Sequence, residues 1–169
     1  NGRNVAIGKS ALTSQNAGAE AYNVAVGYEA GKQTTTGTFN TLIGGLAGDS
    51  ITEGQYNVAL GYNALAGEDT HGRNIAIGTN ALAVQDAGAD AYNVAIGHNA
   101  GLAVSTGVYN TIMGGLAADS LTTGSFNVAI GYGALTTEDT GGRCVAIGKA
   151  ALAQQNVDGN VYNVAIGYE

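Results

Sequence analysis

One short motif recurs along the whole chain and constrains its fold more than any other feature. Asn-Val-Ala-Ile-Gly, or a close variant, occurs ten times, nine times beginning with Asn and once with Cys144. Internal repeats at this spacing are typical of solenoids, in which each repeat forms one coil stacked on the next. The motif asparagines are called the Asn column, which consists of Asn4, Asn23, Asn40, Asn57, Asn74, Asn93, Asn110, Asn127 and Asn163.

The spacing between motifs follows a second, longer period. Successive motifs lie 19, 17, 17 and 17 residues apart, and this order then repeats, so that four coils form a block of 70 residues. We predict a single repetitive region over residues 1–169 with about ten coils. It consists of the blocks 4–73 and 74–143 and the partial block 144–169. Because both ends lie inside a repeat, we expect the region to belong to a longer repetitive chain.

Each motif predicts a β-strand rather than a helix. It is a five-residue segment rich in Val and Ile, and turn-forming residues follow it. A second short segment carries Ala at the seventh residue after the motif Asn and predicts a second strand in each coil. The sequence therefore predicts an all-β fold, a parallel β-solenoid. The second-segment alanines are Ala11, Ala30, Ala47, Ala64, Ala81, Ala100, Ala117, Ala134 and Ala151.

Glycine closes every motif and forms the Gly column. Such a column predicts either a positive φ at a tight corner or a neighbour too close for a Cβ atom. Its members are Gly8, Gly27, Gly44, Gly61, Gly78, Gly97, Gly114, Gly131, Gly148 and Gly167.

Both faces of the motif strand are apolar, which predicts that both are covered. Side chains alternate along a strand, so Val5 and Ile7 share one face and Ala6 takes the other. We expect Val and Ile to fill the interior of each coil, and Ala and Gly to contact another chain. The reverse assignment also predicts association. The third coil of each block departs from the pattern, because Leu42 and Ile112 replace the small residue.

Two polar or aromatic columns flank the strand. Stacked Asn side chains can hydrogen-bond along a parallel ladder, and we prefer this structural interpretation of the Asn column over a row of ligand-binding amides. The residue before each Asn is aromatic except where Arg replaces it, which predicts a stacked, exposed ladder. This aromatic ladder consists of Arg3, Tyr22, Phe39, Tyr56, Arg73, Tyr92, Tyr109, Phe126, Arg143 and Tyr162. A second aromatic row lies one residue past the Gly column and consists of Tyr28, Tyr62, Tyr132 and Tyr168. Sugar binding is the less favoured interpretation of this row.

Composition and motifs exclude several functional classes. A net charge of -7 with six scattered basic residues argues against nucleic-acid binding. No apolar run is long enough for membrane insertion by this segment. We expect no catalytic, cofactor-binding or metal-binding residue, because near-identical coils present repeating surfaces rather than a convergent pocket. We interpret the acidic pairs Glu68-Asp69 and Glu138-Asp139 as solvated loops rather than cation ligands, and His71 and His98 as surface residues.

The repeat resembles the head repeats of trimeric autotransporter adhesins of the YadA type and the related repeats of bacteriophage tail fibres. The resemblance rests on Asn-Val-Ala-x-Gly followed by x-x-Ala-Leu, as in residues 57–65 and 127–135, and covers essentially the whole chain. It implies a left-handed parallel β-roll, three chains side by side and a role in adhesion. The coils here are longer than the typical adhesin head repeat.

From these features we expect a structural segment of an extended extracellular fibre, not an enzyme, carried on a cell surface or a virion. The expected partners are two further copies of the chain in a homotrimer and a host or surface receptor, with a glycan as one candidate. One alternative is an extracellular filament or matrix protein that polymerises end to end. A weaker alternative is an ice-binding solenoid, which needs a regular array of Thr side chains. It is weaker because Thr34-Thr35-Thr36 has no matching triplet at residues 104–106.

Overall fold

A computed structural model describes residues 2–68 and 70–169. It is an all-β structure without a helix in the described residues, and its strands stack in sequence order into one ten-stranded sheet. The predicted parallel β-solenoid is confirmed. The strands are β1 (Val5–Ile7), β2 (Val24–Val26), β3 (Thr41–Ile43), β4 (Val58–Leu60), β5 (Ile75–Ile77), β6 (Val94–Ile96), β7 (Thr111–Met113), β8 (Val128–Ile130), β9 (Val145–Ile147) and β10 (Val164–Ile166).

Every neighbouring pair of strands is parallel and in motif register. Val5 pairs with Val24, and Val128 pairs with Val145, so equivalent motif residues lie one above the other. Hydrogen bonds continue this ladder beyond the strands, for example from the Val94 N–H to the Asn110 carbonyl at 2.8 Å. Each coil therefore contacts mainly the coils directly before and after it, as expected of a solenoid.

The prediction of two strands per coil is wrong, because the structure has one. The segment that carries the second alanine is a series of turns, in which the Ala64 N–H donates to the Gly61 carbonyl at 3.4 Å. Asn63 and Leu65, on either side of Ala64, have φ angles of 57° and 51°, in the left-handed region that a strand does not use. Alternation of left-handed residues with ordinary ones bends the chain back over the strand.

The expectation that Val and Ile fill the coil interior is also wrong, because the strand alanines lie inside instead. The middle strand residue, such as Ala25 or Ala129, is fully buried, whereas its Val and Ile neighbours are half-buried or exposed. The direction of the motif Asn agrees with this arrangement. Asn23 is itself buried, so strand alternation places the second residue after it inside and the first and third outside.

Small strand residues leave room for large residues from the turns. Leu65 and Leu135 reach the interior from the turn segment and are fully buried opposite the strand alanines. In the third coil the volumes are exchanged. Leu42 occupies the strand position of this coil, and glycine occupies the turn position both here, as Gly48, and in the coil before, as Gly31. A Cβ added to Gly31 or Gly48 would lie 2.6 Å or 2.7 Å from a Leu42 methyl carbon. The Leu42 side chain therefore fills the space that the two glycines leave.

Candidate functional site

The Gly column has both properties that its recurrence in every coil predicted, a positive φ and a neighbour too close for a Cβ atom. Each glycine of the column has a φ between 127° and 145°. A Cβ added to Gly61 would lie 2.6 Å from the carbonyl carbon and oxygen of Gly78, which belongs to the next coil. Glycine is therefore required for the backbone conformation and for the close approach of successive coils at this corner.

The Asn column forms a continuous hydrogen-bonded ladder inside the solenoid. The side-chain oxygen of Asn110 accepts the backbone N–H of Asn127 at 2.9 Å, and its amide nitrogen donates to the Gly124 carbonyl at 2.9 Å. The backbone N–H of Asn110 donates in turn to the side chain of Asn93 at 2.8 Å. Asn40 and Asn127 likewise pair backbone groups of their own coil and of the next one, so the amide groups of these residues are committed within the solenoid.

Removal of one internal Asn should cost more than removal of the last one. We expect Asn110→Ala to lower the free energy of unfolding by about 2–4 kcal/mol, because a buried N–H and a buried carbonyl lose their partners. Asn163→Ala is the matched control, since Asn163 is exposed and its side-chain oxygen accepts no bond from a following coil. Urea unfolding followed by circular dichroism measures both. Equal losses of unfolding free energy in the two variants would contradict a stabilising role of the Asn ladder.

Buried polar side chains adjoin the Asn column wherever a 19-residue coil occurs. Gln85 is fully buried and accepts a hydrogen bond from Asn93 at 2.7 Å. Glu68, in the coil before, is also fully buried and accepts from the Asn74 amide at 3.1 Å. The equivalent positions of the other coils hold Thr34, Ile51, Val104 and Leu121, all buried. A Glu in the last 17-residue coil of a block and a Gln in the 19-residue coil that follows therefore occur together where the loop length changes.

The interpretation of both acidic pairs as solvated loops is corrected by these positions. Glu138 is fully buried, where its carboxylate accepts the Gly141 N–H and the Gln155 amide, both at 2.8 Å. Its neighbour Asp139 is exposed. Asp69 lies outside the described residues. Cys144 replaces the motif Asn here and is buried, with its sulfur 3.0 Å from the Gln155 amide nitrogen.

The aromatic ladder is a continuous stack along one side of the strand. Phe39 lies 5.1 Å from Tyr56 with an interplanar angle of 1°, and Tyr92 lies 5.4 Å from Tyr109 at 7°. The guanidinium of Arg73 bridges the two aromatic triplets, 5.1 Å from the Tyr56 ring and 5.6 Å from that of Tyr92. Since ring faces stack on one another, the ladder presents ring edges to solvent, whereas sugars stack on open faces.

The ladder residues share a backbone conformation that their sequence did not reveal. Their φ angles lie between 52° and 65°, in the left-handed region that is costly for bulky side chains. Ring stacking and cation–π contacts offset part of this cost.

The second tyrosine row is not a continuous stack. Tyr28 and Tyr62 are separated by the coil of Gly45, whose added Cβ would lie 3.5 Å from the Tyr62 ring. His98 and Gly115 occupy the corresponding positions in the next block, and both Tyr62 and Tyr132 are exposed. The rings of this row are therefore spaced apart, unlike those of the aromatic ladder.

Exposed apolar side chains concentrate on one surface of the solenoid. Apart from Val84 and Val157, every large hydrophobic residue that is exposed lies one residue before the motif Asn, or one, three or five residues after it. Strand alternation points the two central positions outward, and the two outer ones flank the strand. We call this surface the sheet face.

Basic residues lie along the two margins of the sheet face. Apart from Lys32, every Lys and Arg of the chain is at one of the two outer positions, namely Arg3, Lys9, Arg73, Arg143 and Lys149. Arg73 donates to Asp90 at 2.6 Å, and this hydrogen bond holds the pKa of Asp90 below its ordinary value. The centre of the face is uncharged, so its composition is that of an apolar strip with a polar rim.

Two further carboxyl groups occupy equivalent places in successive blocks. Burial raises the pKa of both Asp49 and Asp119 above the ordinary value, and Lys32 opposes this shift at Asp49. Leu102 stands at the position equivalent to Lys32 beside Asp119. One oxygen of Asp119 is buried without a hydrogen-bond partner. These positions were not distinguished by the sequence pattern, because most Asp residues in such turns are solvated.

The His, Cys, Asp and Glu side chains of the described residues are dispersed. Within residues 2–68 and 70–169, no group of three or more His, Cys, Asp or Glu side chains is placed to hold a metal ion. His98 is exposed and His71 half-buried, and they do not meet. The same residues include no helix of the length and apolarity that a membrane crossing requires.

The candidate functional surface is therefore the sheet face, with its apolar centre, its aromatic ladder and its basic margins. No protein-family model, no curated protein and no solved structure matches this chain.

Proposed function

We propose that this chain is a structural segment of an extended extracellular fibre, and that its copies associate through the sheet face. The observation that carries the proposal is the concentration of exposed apolar side chains on that one face, over the full length of the stack of coils. Soluble monomers rarely leave so continuous an apolar strip uncovered. A stiff rod with a lateral association surface serves as a spacer that holds a fibre together.

The size of the sheet face suits a stable association. Ten strands about 4.8 Å apart span roughly 48 Å, and seven residues of extended chain span about 20 Å, giving roughly 1,000 Å² per chain. A standard protein interface buries about 800 Å² per partner. Interface centres are typically apolar, and Tyr, Phe and Arg are enriched in them, as they are on this face.

The finer features of the proposal rest on the resemblance of the repeat to the head repeats of YadA-type adhesins and the related repeats of phage tail fibres. A homotrimer of left-handed β-rolls, displayed on a cell surface or a virion and serving adhesion or host attachment, is the assembly that the resemblance implies. The receptor would be a host or surface molecule, a glycan among the candidates. We propose the Val and Ile face as the face by which the copies meet, because its side chains are exposed whereas the strand alanines are buried.

Association through the sheet face predicts a trimer that charged residues on this face disrupt. We expect sedimentation equilibrium to report about three times the chain mass of 16.8 kDa. The double variant Ile43→Glu, Met113→Glu should be a folded monomer, since both side chains are exposed and their replacement leaves the core intact.

Val84→Glu is the matched control, because Val84 is exposed and apolar but lies outside the sheet face. It should remain a trimer. A monomeric wild-type protein would contradict the proposal, and a mass that grows without limit with concentration would favour the end-to-end filament instead.

A further inference from the structure

The three arginines of the aromatic ladder have different partners, although they occupy equivalent coils. Arg3 pairs with Glu20 at 2.9 Å, and Arg73 pairs with Asp90 at 2.6 Å. In the third block the residue equivalent to these acids is Asn160. Among the described residues, no carboxylate lies within ion-pair distance of Arg143.

Arg143 nevertheless keeps the stacked position of its equivalents. Its guanidinium lies 4.8 Å from the Phe126 ring and 5.7 Å from the Tyr162 ring, as that of Arg73 lies between two rings. Acidic residues outnumber basic ones by 13 to 6 in this chain. The missing carboxylate therefore does not reflect a shortage of acids, and a second copy of the chain can supply one.

A repetitive interface needs a feature that fixes its axial register. A slip of one coil, about 4.8 Å, places Val over Val and Ile over Ile again, so apolar contacts alone distinguish such registers weakly. A slip of four coils restores the aromatic ladder as well. Arg3 and Arg73 are neutralised within the chain, which leaves Arg143 as the position that breaks the four-coil symmetry. A single polar contact can select a register in this way.

We propose that Arg143 takes its carboxylate from a second copy of this chain and thereby fixes the axial register between neighbouring chains. This inference rests on the association through the sheet face proposed above. The guanidinium lies on the margin of that face, where an ion pair at the interface rim affects specificity and salt dependence more than affinity.

The decisive variant is Asn160→Asp, which gives Arg143 an intrachain carboxylate like that of Arg73 while leaving the aromatic stack in place. Arg143→Gln removes the charge altogether. Arg73→Gln is the matched control, because Arg73 is already paired within its own chain. A spin label on Ser120→Cys, an exposed position, in a Cys144→Asn background reports the distance between chains by pulsed electron paramagnetic resonance.

We expect one narrow interchain distance distribution for the starting protein and for Arg73→Gln. Asn160→Asp and Arg143→Gln should broaden it toward longer distances, because an axial slip of n coils displaces the label by about 4.8n Å along the axis and this displacement adds in quadrature to the lateral separation. At low salt both should also weaken association about two- to fivefold, a difference that disappears at about 1 M salt.

If the distribution stays narrow and association is unchanged in Asn160→Asp and Arg143→Gln, the register role of Arg143 is wrong, although association through the sheet face stands. If the starting protein does not associate at all, both proposals are wrong. Circular dichroism of each variant establishes that the coils remain folded.

Discussion

Gly131→Val should lower the free energy of unfolding by more than about 3 kcal/mol, the range reached by strained backbone and overpacking combined. Gly131 has a φ of 131°, which a β-branched residue does not adopt without strain. An added Cβ would also lie 2.6 Å from the carbonyl carbon of Gly148 in the next coil. That atom belongs to the backbone and to the parallel ladder, so it cannot move without breaking hydrogen bonds on either side.

Gly167, the last glycine of the column, allows backbone strain to be measured separately from close approach between coils. Gly167 has a φ of 145°, similar to that of Gly131, but no atom lies within 4 Å of its added Cβ. Gly167→Val should therefore cost only the backbone strain, about 1–2 kcal/mol. Thermal and urea unfolding of both variants give the comparison. Equal effects would show that close approach between coils contributes nothing at this corner.

Deletion of residues 74–143 should leave a folded, shorter protein. The deletion joins Arg73 to Cys144 and removes one complete block, so the order of the aromatic ladder is kept. Glu68 then takes the place that Glu138 has beside Gln155 and Cys144, and its buried carboxylate retains a donor. In a solenoid, stability is roughly a sum over coils and their interfaces, so the remaining coils should stack as before.

The shortened protein should lose four coils at about 4.8 Å each, roughly 19 Å of length, measurable by small-angle X-ray scattering. Its melting should remain cooperative.

Deletion of residues 74–82 is the contrasting variant and should do much greater damage. It removes β5, Ala81 and Leu82, and leaves the rest of that coil without a strand to stack. Buried Gln85 and Glu68 lose part of their polar surroundings, which costs several kcal/mol when no new partner is found. We expect a large fall in melting temperature or aggregation. If this variant were stable and the 70-residue deletion unfolded, the stacked-coil account of the chain would be wrong.

The sequence pattern was sufficient for the features that depend on the repeat itself. Motif spacing alone predicted parallel stacking, because identical strands at near-constant intervals can only pair in register. It also distinguished the four-coil block, the Gly column and the stacked aromatic ladder, each of which recurs at a fixed place in the coil. These predictions needed no knowledge of which direction any side chain points.

Side-chain direction was what the pattern left open, and only the tertiary structure decided it. A strand with Val on one face and Ala on the other is compatible with either face inside. The choice depends on residues distant in the coil, since Leu65 and Leu135 from the turns fill the volume that the strand alanines leave. The buried state of Glu68 and Glu138 has the same cause, because an acidic residue in a turn is normally solvated unless a neighbouring coil supplies donors.

The sequence by itself thus determined the stacking, its period and the columns, since these follow from local repetition along the chain. The tertiary structure decided which face is the core, that each coil has one strand, and that the exposed apolar side chains lie on the sheet face. Those properties depend on volumes and hydrogen-bond donors contributed by the adjacent coil and by the opposite side of the same coil. The sequence of a single repeat does not give these contributions. A column of recurring residues shows which residue type recurs at a position, but not which residues it contacts.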